Sequence, residues 1–157
     1  MHTYVKFFIF IILVIYILSY YNYPKYTRII QTNMNNFNFD MLYTRQPIII
    51  DSGIDFEKIK KNWFNFNYTK EGVLEKSDIW IDNKFKYTIL QPKESGEILL
   101  YPASKKMIGG IPNPDESLLA IKISKGQLII LPFHWKFLLN VDVLTLGVHD
   151  LLTYFLI

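Results

Sequence analysis

Residues Val5 to Tyr21 read VKFFIFIILVIYILSYY, an apolar block broken only by Lys6 and Ser19. No other stretch constrains the fold so sharply, because a helix without a polar face has to be covered on every side. Crossing a hydrocarbon core of about 30 Å takes roughly 20 residues at about 1.5 Å each. Val5 to Pro24 has that length, with Lys6 reaching back to one interface and Tyr20, Tyr21 and Tyr23 at the other. The expectation is an uncleaved transmembrane anchor over residues 1–24, its apolar surface formed by Phe7, Phe8, Ile9, Phe10, Ile11, Ile12, Leu13, Val14, Ile15, Tyr16, Ile17 and Leu18. The two alternatives are a cleaved signal peptide and a buried core helix. The residues after Leu18 are too bulky for a small-x-small cleavage site, which argues against the first. The missing polar face argues against the second. This reading makes the lipid bilayer a partner and the protein single-pass. Lys6 on one side and Lys25 with Arg28 on the other leave its orientation undecided.

The cationic residues are nearly all lysine, with arginine only at Arg28 and Arg45, and alanine occurs only at Ala103 and Ala120. Asn, Ile, Lys, Phe and Tyr are abundant. Such preferences follow AT-rich codons and resemble those of many large DNA viruses and some protozoa, which makes a host or virion membrane the implied location. A net charge of +3, dispersed along the chain, gives no argument for nucleic acid, and no nucleic-acid motif accompanies it. Without cysteine there is no disulfide framework, thiolate metal site or cysteine nucleophile. Asn67-Tyr68-Thr69 is a glycosylation sequon, close to chance expectation in so Asn-rich a chain.

Residues 25–40 end in the Asn-rich, aperiodic QTNMNNFNFD and read as a linker, which leaves 41–157 as a single small domain. That domain reads mainly as strands. Leu42–Ile50 ends in a β-branched run, and Asp51-Ser52-Gly53 can cap a short helix with Phe56, Ile59 and Trp63 at helical spacing. Ile79–Ile81 and Lys84–Leu90 flank Asp82-Asn83 as a hairpin would, and Phe85, Tyr87 and Ile89 alternate with Lys84, Lys86 and Thr88 as in a sheet with one wet face. Glu97–Tyr101, Leu118–Ile123, Leu128–Leu131, Trp135–Leu139 and Val143–Leu146 complete the strands, separated by Pro and Gly. The tail after Gly147 either finishes as a strand or turns into a short helix capped by Asp150. Many short strands with such punctuation argue for a sandwich or barrel.

Gly126-Gln127-Leu128-Ile129-Ile130-Leu131-Pro132-Phe133-His134-Trp135 resembles the G-D-(apolar)-P-x-x-W segment of cupin-like, Jumonji-C-type domains, with Gln127 where that family usually has Asp. Ser95 to Pro102 is similar to the strand that precedes it there, and the likeness spans about Ile79 to Leu146. The resemblance implies a double-stranded β-helix, a cupin-like jelly roll, in which Gly126, Pro132 and Trp135 carry the fold motif. The family's enzymes hold iron with a His-x-Asp/Glu pair and a distal His. The strand that should carry the pair reads Tyr87-Thr88-Ile89-Leu90-Gln91-Pro92, and Lys136 and Phe137 stand where the distal His would fall. The implied site is therefore degenerate.

Elsewhere, His134, His149 and Asp150, joined by Glu97 or Asp142, are the donors from which an N/O metal site could be assembled. Neighbours on a strand point to opposite faces and rarely share one centre, so local hydrogen bonding is the expected use of His134, in its Pro-x-His-Trp turn, and of His149, near a strand end. No cofactor, catalytic residue or ligand-binding residue is singled out. The chain has no G-x-S-x-G, HExxH or Walker loop. Asp115-Glu116 and Ser104-Lys105-Lys106 read as solvated surface, and Trp63, Phe64, Phe66 and Tyr68 as core and rim. The functional expectation is a membrane-anchored β domain with a structural or protein-interaction role and no catalysis. The alternatives are a degenerate cupin binding a small ligand and, behind it, a metal-dependent oxygenase.

Overall fold

Two uninterrupted aliphatic runs, Ile48–Ile50 and Leu128–Leu131, organise the body, because a strand apolar at every position is buried on both faces. A computed structural model describes residues 2–24, 26–51, 56–63, 68–113, 116 and 118–156. Helix α1 (His2–Tyr20) comes first, followed by β1 (Ile30–Asn33) and a 3-10 turn (Phe39–Thr44). β2 (Ile48–Asp51), α2 (Phe56–Trp63), β3 (Thr69–Leu74), β4 (Ser77–Asp82), β5 (Tyr87–Pro92) and β6 (Gly96–Tyr101) follow. β7 (Leu119–Ile123), β8 (Leu128–Pro132), β9 (Lys136–Leu139), β10 (Val143–Val148) and α3 (Leu151–Leu156) close the chain.

The strands form two sheets, a six-stranded one in the order β1-β2-β8-β5-β10-β3 and a four-stranded one in the order β4-β9-β6-β7. All pairings are antiparallel except β1 with β2. Between the sheets lies one core, built by Ile49, Leu90, Ile129, Leu131 and Val143 from the larger sheet and Ile98, Leu100, Phe137 and Leu139 from the smaller. The alternate residues Ile48, Ile50, Ile89, Leu128, Ile130, Leu146 and Val148 form a second core on the outer face of the larger sheet. Ile59 of α2, Leu42 of the 3-10 turn, and the stacked pair Phe37 and Trp63 (ring centroids 4.9 Å apart) cover that face. This double cover is why β2 and β8 lack alternation, and why β5 has no wet face: Thr88, Ile89 and Leu90 are all buried.

Several expectations are corrected. Among the described residues no helix is long and apolar enough to cross a membrane. Helix α1 spends its last turn on the body, where Tyr20 is 6% exposed and lies edge-on to Phe133 at 5.2 Å. The residues before that turn, His2–Ile15, would span only about 21 Å at 1.5 Å per residue. The transmembrane anchor, and the single-pass host or virion membrane location drawn from it, are not supported. A cupin-like double-stranded β-helix carrying a transmembrane helix gives way to what the structure describes, a mainly β body of two unequal sheets. β1 and the first two residues of the 3-10 turn, Phe39 and Asp40, fall within the segment expected as a linker, and β1 widens the larger sheet through its parallel pairing with β2. The expected hairpin at Asp82-Asn83 is a crossover: β4 pairs with β9 in one sheet, β5 with β8 and β10 in the other. Asn83 drives it, its buried amide donating to the Leu131 and Pro132 carbonyls and its Oδ1 accepting from Thr88 and the Phe85 amide. β3, for which the sequence gives no strand signal, pairs with β10. Ser52, Gly53, Phe64, Phe66, Asn67 and Asp115 lie outside the described residues.

Candidate functional site

The three candidate metal donors stand in different company. His134 occupies the turn between β8 and β9 with φ 62°, its ring against Phe133 at 3.8 Å and its Nδ1 3.4 Å from Asp82. His149 is buried between Phe85 and Tyr154, and among the described residues its Nδ1 has no hydrogen-bond partner. Burial holds its pKa below the ordinary value; the Thr153 backbone opposes this and the Lys70 charge adds to it. Asp150 points toward α1. Asp142 accepts from the Lys76 amide at 2.9 Å. Among the described residues no group of three His, Cys, Asp or Glu is placed to hold a metal ion.

The positions at which the cupin-like resemblance would place iron ligands are committed to structure. Thr88 donates to Asn83 at 2.6 Å, and Phe137 is part of the inter-sheet core. Lys136 lies half-buried over the Tyr101 ring and donates to the Lys105 carbonyl at 3.1 Å, and burial lowers its pKa. Gly126 takes φ 85° in the turn before β8, where Gln127 accepts from the Ser124 amide and donates to Asp51. Pro132 ends β8. Trp135 is 2% exposed, and its indole N–H donates to the Arg45 carbonyl at 3.1 Å. Lys105 pairs with Glu116, which also accepts from the Tyr101 hydroxyl. Tyr68 stacks on Tyr154 of α3, and Trp63 is a lid on the outer core.

The arrangement with the most chemistry lies where α1 meets the body. Val148 ends β10, and Asp150 then caps α3: its Oδ1 accepts from the Thr153 amide at 3.1 Å, while Thr153 Oγ1 accepts from the Asp150 amide at 3.0 Å. The other oxygen, Oδ2, accepts from the Tyr16 hydroxyl at 2.5 Å and from the Tyr20 hydroxyl, and it pairs with Lys86 Nζ at 3.3 Å. One carboxylate thus joins α1, α3 and the start of β5. Burial, and then the bond to Asp150, push the Tyr16 hydroxyl far above the usual tyrosine range.

Beside this junction opens a cleft of about 340 Å³. Tyr16, Ser19, Tyr20 and Tyr23 line one wall; Leu42, Tyr43 and Arg45 line another; Lys86, Tyr87, Pro132, Phe133 and Trp135 form the floor. Arg45 caps the 3-10 turn in the left-handed conformation, φ 54°, and its guanidinium lies 5.9 Å from the Tyr20 ring centre. Lys86 is held below its ordinary pKa by burial and then by the Arg45 charge. The only sequence signals for this region were the Asp150-x-x-Thr153 spacing of a helix cap and the tyrosines at the end of the apolar block. Nothing local marks Arg45 or Lys86, which come together from segments about forty residues apart.

No protein-family model matches the chain, and comparisons with curated proteins and with solved structures find no match either.

Proposed function

We propose that this protein is a non-catalytic interaction domain, in which a two-sheet β body carries α1 as its binding element and the contact is with protein. The observation that carries the reading is the surface of α1. Phe7, Phe8, Phe10, Ile12, Ile15 and Leu18 are each at least half exposed, while Tyr16 and Tyr20 bolt the end of the helix to Asp150. An exposed apolar surface of this extent marks a place where something else binds. A helix apolar all round is satisfied by a bundle, and the simplest bundle is α1 from several copies of the chain.

Size-exclusion chromatography with light scattering on the full chain, in detergent-free buffer, tests the proposal. Wild type is expected to run as an oligomer, and Phe8→Asp with Ile12→Asp as a folded monomer. A wild-type monomer that floats with neutral phosphatidylcholine vesicles would place lipid rather than protein on α1 and overturn the reading.

A further inference from the structure

The cleft at the foot of α1 is a different feature from the exposed helix above it. We propose that it is a binding site for a small organic anion, a carboxylate or phosphate monoester on a flat apolar body, held by Arg45 and Lys86 against the tyrosine and tryptophan walls.

Three observations carry this. The volume, about 340 Å³, falls in the range of small-molecule sites, and the walls are mainly aromatic with a few polar groups, the usual make-up of such sites. The charges do not balance locally. Arg45 and Lys86 both line the cleft, and the carboxylate that pairs with Lys86 at 3.3 Å, that of Asp150, is already shared by Tyr16 and Tyr20. Among the described residues Arg45 has no ion-pair partner; its guanidinium donates to the Asn22 carbonyl at 3.1 Å and rests near Tyr20. An oxyanion between two cations relieves their repulsion and gains charge-assisted hydrogen bonds. The backbone points the same way. Arg45 and His134 are the only non-glycine residues with positive φ among those described. Arg45 lines the cleft, and His134 sits between Phe133 and Trp135, which also line it. Left-handed residues at non-glycine positions persist where the surroundings hold them, often around ligand clamps. The indole bond from Trp135 to the Arg45 carbonyl is what holds one of them here.

The site is independent of what covers α1, so it stands or falls separately. The test is titration calorimetry on the full chain with 2-naphthoate, 2-naphthyl phosphate, the neutral 2-naphthalenemethanol and inorganic phosphate. Expected are saturable binding of at least one naphthyl anion, and binding of the alcohol and of inorganic phosphate at least about tenfold weaker. Lys86→Met and Arg45→Asn, which keep the stem and the left-handed backbone respectively, should each weaken the anion about fivefold or more and leave the alcohol unchanged. Lys86→Arg should retain binding, which separates loss of charge from loss of fold. The naphthoate and naphthyl phosphate arms tell which oxyanion is preferred. Equal binding of anion and alcohol, undiminished binding to the folded charge-removal variants, inorganic phosphate binding as tightly as the naphthyl anions, or no binding of either naphthyl anion would overturn the proposal.

Discussion

Replacing Asp150 should cost far more than the loss of a helix cap. The carboxylate has one oxygen on the α3 cap and the other on two tyrosine hydroxyls of α1, with its side chain 10% exposed. Losing the cap costs about 1 kcal/mol. A hydrogen bond to a charged acceptor is worth about 1.5–3 kcal/mol, and its loss leaves the two tyrosine donors at a half-dry interface. The Lys86 pair adds little, about 0.5 kcal/mol or less, because the lysine side chain is 37% exposed. With the cap and two such bonds lost, Asp150→Ala should destabilise by about 4 kcal/mol or more, and Asp150→Asn, which keeps the cap oxygen, by about 1 kcal/mol less. Urea unfolding followed by tryptophan fluorescence reads this as a drop in midpoint of at least about 1 M at typical slopes. Tyr20→Phe and Asp150→Asn should be strongly non-additive in a double-mutant cycle, because each removes the same bond. An Asp150→Ala cost no larger than about 1 kcal/mol, or strict additivity in that cycle, would refute the three-way junction.

Other outcomes follow from the same packing. The lowered pKa of His149 means that the unfolded chain, with an ordinary value of 6.5, takes up this proton before the folded one. Stability should thus be complete above that value and fall as pH drops below it, and thermal melts of His149→Gln should lose this acid-side dependence. At Gly147 a methyl group would collide with the Phe85 ring, so Gly147→Ala should cost about 1–3 kcal/mol by urea unfolding, and Phe85→Leu should recover part of it. Trp135→Phe removes buried volume and the bond to the Arg45 carbonyl, and should destabilise by about 2 kcal/mol in the same assay. Glu71→Gln, which breaks the exposed pair with Lys60, should change stability by less than about 0.5 kcal/mol.

Local chemistry was legible in the sequence where a residue's role is decided by its neighbours in the chain. The strands around Glu97–Tyr101, Leu119–Ile123 and Leu128–Leu131 announce themselves by apolar runs between Gly and Pro. The Phe56, Ile59, Trp63 spacing marks α2, and Asp150 marks the start of α3. What stayed hidden depends on partners far along the chain. Asp82-Asn83 has the composition of a hairpin turn, but the Asn83 side chain reaches carbonyls at Leu131 and Pro132 and sends β5 into the other sheet. The Thr69–Leu74 segment has mostly polar, exposed residues and becomes a strand only because β10 offers an edge. The apolar block showed a helix without showing its use, since Tyr16 reads as part of the apolar surface and Tyr20 as an interfacial residue until Asp150 is brought to them. The cleft was the least visible feature: Arg45 and Lys86 are ordinary cations in a lysine-rich chain until the fold brings both to one cleft.

The central claim is that α1 meets protein, in the first instance α1 of another copy. The chain contains no cysteine, so one spin label can be placed at Ile12→Cys, an exposed position clear of the Asp150 junction. Pulsed electron–electron dipolar spectroscopy of that variant in detergent-free buffer reads the contact directly. Helices packed at about 8–10 Å between axes predict an intermolecular label distance within about 25 Å, lost when Phe8→Asp is added. The absence of any intermolecular dipolar signal would contradict the account.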